Sequence, residues 1–342
     1  MRPLIIPIFV IYKGCPNRCV FCNERIAAGD YPDGVTGNTV RAVCDRHLGK
    51  SGRKFDQIAF YGGNFTGTNR DYQIELLDAA KGYVDAGMVG SIRISTRPDY
   101  IDDERVDLLT RYPVSTVEIG AQSMVDEVLS ASGRGHSSDD VRKAVRLLKE
   151  AGFKTGVHIM AGLPGDTREG FEYTVEEIID LQPDMTRIHP TIVFGDTPLA
   201  EAYRKGTYEP LSLDGAVDLC KGALLRFQKA GIPVIRLGLH TTKEMISDGS
   251  IIAGPFHPAF RSLVEGSLFL DMATALLGSA DPEHKDIVFS VAPQDVSNLR
   301  GMKNRNIRIL KESFGIPEIH VRENAEQERG SLKIIQGPLP YP

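Results

Sequence analysis

Seven short apolar runs, each separated from the next by a stretch of helical periodicity, constrain this chain more than any other feature. They fall at residues 4–12, 57–61, 91–96, 115–121, 154–161, 186–194 and 232–237. The clearest intervening helix is 137–151. Ser137 and Asp140 suit a capping box, Val141, Ala144, Leu148 and Ala151 share one face, and Gly152 stops the helix. A second helix runs over 213–230 and ends at Gly231. Repeated strand–helix units imply a parallel sheet with right-handed crossovers, because each helix must return the chain to the edge where the next strand begins. Six or seven units exceed a small nucleotide-binding fold and fall short of a closed eight-unit barrel. The expected class is therefore α/β, a partial (β/α)6 TIM-like barrel whose chemistry sits on the loops after the strands.

From about residue 240 the pattern changes. Residues 252–260 (IAGPFHPAF) read as a loop, 261–277 as a helix and 281–285 as a polar linker. Residues 287–291, 296–314, 318–322 and 331–335 read as strand, helix, strand, strand. The expected organisation is a barrel over 1–238, a helical and loop connection over 239–285 and a small α/β module over 286–342.

Of 342 residues, 42% are hydrophobic and 25% charged, which suits a globular chain with a large core. The net charge of −5 excludes global basicity as an argument for nucleic acid, leaving only local patches. Residues 4–12 resemble a short signal segment, but Lys13, Gly14 and Cys15 follow instead of small cleavage-site residues, and the run is too short for a bilayer. A cytoplasmic protein with no membrane partner is expected.

There are five cysteines. Cys44 shares a helical face with Val40, Val43 and Leu48, and Cys220 a stripe with Leu213, Val217, Leu224 and Phe227, so both read as core thiols. The other three are concentrated in C-P-N-R-C-V-F-C, where Cys15, Cys19 and Cys22 follow the first strand with the spacing CxxxCxxC. Zinc normally takes a fourth Cys or His at matched spacing, and none follows. Three thiolates suit a four-iron cluster with one iron left open to a small ligand.

This motif, with Phe21 before the third cysteine, resembles the signature of the radical S-adenosylmethionine enzymes. Tyr61-Gly62-Gly63-Asn64-Phe65-Thr66-Gly67, at the end of the second strand, resembles that superfamily's Gly-Gly motif. Residues 95–99 (STRPD), 117–123 (VEIGAQS), 133–137 (GRGHS), 158–164 (HIMAGLP) and 184–193 (DMTRIHPTIV) resemble the radical domain of the Elongator catalytic subunit family, which modifies tRNA. That resemblance covers about residues 5–230. The Elongator members space their cluster cysteines more widely, and nothing after residue 231 resembles their acetyltransferase domain. A weaker similarity is to oxygen-independent coproporphyrinogen oxidases.

The resemblance implies a [4Fe–4S] cluster on Cys15, Cys19 and Cys22, and S-adenosylmethionine bound by Phe21, Gly62, Gly63, Asn64, Ser95, Gln122, Arg134 and His158. In this scheme Gly62 and Gly63, with Asn64 beside them, hold the methionine amino group. Arg134 pairs the carboxylate, Phe21 lies near the adenine, and His158 lies near the ribose. It further implies a 5′-deoxyadenosyl radical acting on the substrate and a flavodoxin or ferredoxin as reductant. Glu118, on an apolar strand, requires a partner, Arg97 or the ligand. Gly301-Met302-Lys303-Asn304 resembles a degenerate GxxG loop of a KH-type RNA-binding module, with Lys303, Arg305 and Arg308 as candidate RNA contacts. The leading expectation is modification of RNA, specifically tRNA. The alternatives are a radical enzyme acting on a small molecule such as a tetrapyrrole, and a non-enzymatic iron–sulfur or zinc RNA-binding protein.

Cys19→Ala is expected to abolish iron and sulfide loading on anaerobic reconstitution, because two thiolates cannot hold the cluster. Cys44→Ala and Cys220→Ala are expected to load like the parent. Iron assay of the three variants checks this, and full loading of Cys19→Ala contradicts it.

Overall fold

The computed structural model describes residues 3–16, 18–29, 34–51, 54–246, 249–280 and 286–335. Seven strands form one sheet with sequential order: β1 (Ile5–Phe9), β2 (Phe55–Tyr61), β3 (Val89–Thr96), β4 (Val114–Gln122), β5 (Lys154–Ala161), β6 (Met185–Pro190) and β7 (Val234–Leu237). Every neighbouring pair is parallel. This is the expected partial barrel, with all seven strands found. Sequential order has one consequence that matters for chemistry: every loop leaving a strand's C-terminal end emerges on the same rim.

The strands are nearly continuous in burial because helices cover one face and the barrel interior lies on the other. Ile6, Ile8, Ile58, Ile92, Ile94, Val117 and Ile119 are all fully buried. The helix Ser138–Glu150 carries the expected capping box, with Ser137 and Asp140 capping reciprocally, and buries Val141, Ala144, Val145 and Leu148. Cys44, within the helix Gly37–Ser51, and Cys220, within the helix Leu213–Lys229, are fully buried core thiols as expected.

Three expected elements differ in extent. The first run stops being strand at Phe9, and Tyr12 takes a left-handed φ of 53° as the chain turns onto the rim. The run 186–194 divides after Pro190, and Val193–Phe194 pairs antiparallel with Ile251–Ala253, which converts part of the expected loop into strand. The helix expected over 296–314 is broken. Val296–Arg300 and Arg305–Phe314 are separate helices, with Lys303 and Asn304 at left-handed φ values of 50° and 59° between them.

Residues by contact fall into two compact units, one of 1–216 with 223–258 and one of 217–222 with 259–342. In the second unit β8 (Ile287–Val291) is central, parallel to β9 (Ile319–Glu323) and antiparallel to β10 (Leu332–Ile335). Phe289, Val291, Leu299 and Leu310 form its core with Phe269, Ala273 and Leu277 of the helix Phe260–Ala280. The expected linker 281–285 lies outside the described residues.

Ile94 sits at the middle of β3, in register with Phe60 of β2 and Val117 of β4. Ile94→Ala is expected to cost about 2–5 kcal/mol, the range for truncating a fully buried Ile. Urea denaturation of the two proteins checks this, and a loss below about 1 kcal/mol would mean the layer collapses around the cavity.

Candidate functional site

The cysteine loop leaves β1 and is pinned to its surroundings by backbone bonds. Val20 N–H donates to Ser132 O at 3.1 Å, Leu199 N–H donates to Val20 O at 2.9 Å, and Cys22 N–H donates to Cys19 O at 3.0 Å. Cys19 is buried, and Cys15 and Cys22 are partly accessible. The three thiols are electrostatically coupled, since negative charge on Cys19 raises the pKa of both others. Burial first, then Glu24, pushes the Cys15 thiol up to about 11, and the same causes raise Cys22 further. Without a cation the site therefore favours thiols over thiolates, as expected where metal and proton compete for sulfur. Among the described residues, no three His, Cys, Asp or Glu side chains are gathered closely enough to cage a single metal ion.

The Gly-Gly turn leaves β2 directly beside this loop. Gly63 has φ +58°, and a Cβ there would lie 2.5 Å from Lys13 O and 2.7 Å from Val10 O. Only glycine lets the two loops approach so closely. Asn64 is fully buried. Its Nδ2 donates to Gly14 O at 2.8 Å, and its Oδ1 accepts from Thr96 Oγ1 at 2.6 Å and Arg97 N–H at 3.1 Å. Its side chain is thus occupied in binding three loops together, next to the glycines of the turn.

Arg134 reaches the cysteines from the loop before the helix Ser138–Glu150. Its Nη1 donates to Cys19 Sγ at 3.2 Å and its Nη2 to Gly120 O at 2.6 Å, while its buried Nε has no partner. Gln122 ends β4 at a bulge, with a left-handed φ of 70° and a buried Oε1 that has no partner. Arg97 is 2% exposed and ties Asp99 through Nε and Nη2, leaving Nη1 unpartnered. Both Cys15 and Cys19 feel its charge. Phe21 packs on Val128, Met160 and Leu163. Ser95 lies on β3 in register with Glu118.

Glu118 is not paired with Arg97. Its partners are Arg93 on β3 and Arg187 on β6. Arg93 Nη1 donates to Glu118 Oε1, and Arg187 Nη2 donates to the same oxygen at 2.8 Å. Arg187 also lies over the Tyr61 ring at 5.1 Å and donates to its hydroxyl at 3.1 Å. His158 meets His189 of β6 edge to face at 4.2 Å. Sequence reasoning did not single out Arg93, Arg187, Tyr61 or Glu24 as site residues. The available signal was charge at interior strand positions, which is costly unless neighbouring strands supply partners.

The chain matches the model of the radical S-adenosylmethionine superfamily over residues 9–178 and that of the radical SAM C-terminal domain over 183–269. It is 30% identical over 255 residues to a tRNA uridine(34) acetyltransferase of Methanocaldococcus infernus, covering 63% of this chain and 48% of that protein. Elongator complex protein 3 of Saccharomyces cerevisiae is 29% identical over 253 residues, covering 61% and 44%. The chain thus spans about half the length of these curated relatives. The solved structure of archaeal Methanocaldococcus infernus Elp3 with an N-terminal deletion shares the fold, with a TM-score of 0.59 at 24% identity, covering 78% of this chain and 62% of that one.

His136 and His158 generate a pH prediction. Burial, then Arg134 and Arg97, lowers His136 to about 4; burial, then Arg187 and Arg134, lowers His158 to about 3. Unfolded histidines take up protons near 6.5, whereas these do not until far lower. Their contribution to stability is therefore complete above pH 6.5 and is lost as pH falls toward the folded values, at up to roughly 1 kcal/mol per pH unit each. Urea titrations of iron-free protein at pH 7.5 and 5 should show this loss, reduced in His158→Gln. An equal loss in that variant would contradict it.

Proposed function

The chain belongs to the radical S-adenosylmethionine superfamily, and from that premise we propose that it is a tRNA-modifying radical enzyme holding one [4Fe–4S] cluster on Cys15, Cys19 and Cys22. The observation that carries this reading is one rim where three coupled thiols, a Gly-Gly turn and two arginines with unpartnered N–H groups converge. When bound, the cluster and S-adenosylmethionine supply a 5′-deoxyadenosyl radical that removes a hydrogen atom from the substrate.

The remaining work falls to the chain's own residues. Arg134 presents an unpartnered Nε where a carboxylate would be bound by a charge-assisted hydrogen bond. Gln122 offers a buried acceptor whose strained backbone suits a fixed contact at the site. Gly62 and Gly63, whose turn packs against the backbone of Val10 and Lys13, would hold the methionine amino group. Phe21, Ser95 and His158 are proposed to line the cofactor's site, and the apolar packing of Phe21 on Met160 and Leu163 would shield a radical from side reactions. A flavodoxin or ferredoxin is the proposed electron donor.

The RNA reading is supported by the chain's similarity to archaeal tRNA uridine(34) acetyltransferases and by the second unit. Lys303, Arg305 and Arg308 are all exposed at or just after the left-handed turn at Gly301-Met302-Lys303-Asn304. Asn306 Nδ2 donates to Gly266 O at 2.8 Å and Asn298 O at 3.1 Å, which fixes the turn against the helices behind it. Phosphate contacts from such a turn depend steeply on salt. No helix of the described residues is long and apolar enough to cross a membrane, and a cytoplasmic location is proposed along with the tRNA substrate.

Reconstituted protein reduced with dithionite is expected to convert S-adenosylmethionine to 5′-deoxyadenosine. It is also expected to retain tRNA at low ionic strength, with Lys303→Ala/Arg305→Ala lowering the slope of log affinity against log salt by about 1–2. Cleavage without salt-sensitive tRNA retention would put a small-molecule substrate in place of RNA.

A further inference from the structure

Burial alternates along the strands of the first unit in a way that a filled barrel would not give. Phe9, Tyr61, Ser95, His158, Arg187 and His189 are partly exposed, whereas Ile8, Phe60, Ile94, Ile159 and Ile188 beside them on the same strands are buried. Where side chains fill a barrel interior and helices cover the outside, both faces of each strand are closed to water. The inner face near the C-terminal ends of these strands therefore lines a hollow below the rim.

Tyr61 of β2 and His189 of β6 enter this hollow with hydrogen-bonding capacity that the chain does not use. The Tyr61 hydroxyl oxygen accepts from Arg187 Nη2 at 3.1 Å, and its own proton has no acceptor among the described residues. His189 Nε2 is buried without a partner. His189 follows Arg187 by two residues, so the two side chains leave the same face of β6 about 7 Å apart. The His158 ring meets that of His189 edge to face, with centroids 4.2 Å apart.

Burial first, then Glu118, raises the pKa of the Tyr61 hydroxyl, which therefore keeps its proton as a donor. Burial, then His158 and Arg187, lowers His189 well below the usual histidine range, and a neutral imidazole keeps one ring nitrogen as an acceptor. The Arg187 cation polarises the hydroxyl that it donates to and so makes it a stronger donor. The same cation disfavours an amino group approaching that hydroxyl. A polarised donor near an acceptor is complementary to a lactam edge, a carbonyl oxygen next to a ring N–H. Of the RNA bases, uracil and guanine present that edge, whereas cytosine and adenine present an amino group next to an accepting ring nitrogen. Single-stranded RNA is read on such edges once its bases are unstacked.

We propose that Tyr61 and His189 are specificity-determining residues that read the lactam edge of the substrate base, Tyr61 donating to the carbonyl oxygen and His189 accepting from the ring N–H. The inference rests on the proposed action on RNA and extends it from the phosphate backbone to the base. Arg187 is a positioning residue: its Nη2 orients the Tyr61 hydroxyl, and Glu118 in turn holds Arg187. None of the three takes part in bond breaking.

The test is binding of four nine-nucleotide RNAs, AAAAXAAAA with U, G, C or A at X, to reconstituted protein with S-adenosylmethionine present and no reductant. Fluorescence anisotropy at one fixed salt concentration reads the affinities, and iron is assayed in parallel. The U or the G RNA is expected to bind roughly 10-fold more tightly than the C and A RNAs, the worth of one to two hydrogen bonds. Which of the two leads identifies the base. Tyr61→Phe and His189→Phe should keep their iron and their affinity for the A RNA, and each should lower the preference by about 3- to 5-fold.

Salt-sensitive binding of all four RNAs by the parent without preference overturns the proposal and leaves the RNA reading standing. A preference that survives intact in both variants also overturns it. Should one variant lose its iron, the other decides; loss of iron from both overturns the proposal in favour of a structural role for the two side chains. A parent that retains none of the RNAs at low ionic strength overturns the functional reading itself, and that result is distinguishable from binding without discrimination.

Discussion

The carboxamide of Asn64 holds the rim together. It lies after β2, donates to the loop after β1 through Gly14 O, and accepts from the residues that end β3 through Thr96 and Arg97. Three successive βα loops are therefore joined by one buried side chain with no exposure to water. A hydrogen-bonded group in such a setting is stiff, because breaking any one bond leaves a polar atom buried without water to replace it. The placement of Arg97, the closeness of Gly14 to Gly67 and the seating of the cysteine loop all follow from this junction.

A few charges of the first unit are buried. Arg93, Arg97, Arg134 and Glu118 are all buried, and Arg187 is largely so. An arginine cannot neutralise itself by losing a proton, so each must be answered by an acid or a ligand. Glu118 answers Arg93 and Arg187, and Asp99 answers Arg97. Arg134 has only a thiol and a carbonyl. The Arg93–Glu118–Arg187 group is weak evidence for stability, since buried ion pairs seldom repay their desolvation relative to well-packed apolar side chains. The group is tied to Tyr61, at the end of β2 just before the Gly-Gly turn, through the bond from Arg187 to its hydroxyl.

Local signals gave a faithful outline of the fold. Period and punctuation placed all seven parallel strands and the capped helix Ser138–Glu150, because those signals depend on neighbours within a turn or two. Extents were less legible. The run ending at Phe194 reads as one strand because both halves are apolar, yet its last two residues pair with Ile251–Ala253, far along the chain. The break at Lys303 and Asn304 is equally hidden, since Asn in the left-handed region is permitted but not demanded.

The sequence by itself determined which chemistry this chain can carry: CxxxCxxC after a first strand and Gly-Gly after a second, within a series of βα units whose loops must share one rim. These are covalent spacings and backbone preferences, written in the order of residues. Tertiary structure alone decided who partners whom. It gave Glu118 to Arg93 and Arg187 rather than Arg97, spent Asn64 on three loops, and left Glu24 at the Gly-Gly turn. The reason is that a charge or amide buried in a protein is satisfied by whatever other strands and loops bring within about 3 Å, and such partners lie far apart in the chain, 25 residues for Arg93 and Glu118 and 69 for Glu118 and Arg187.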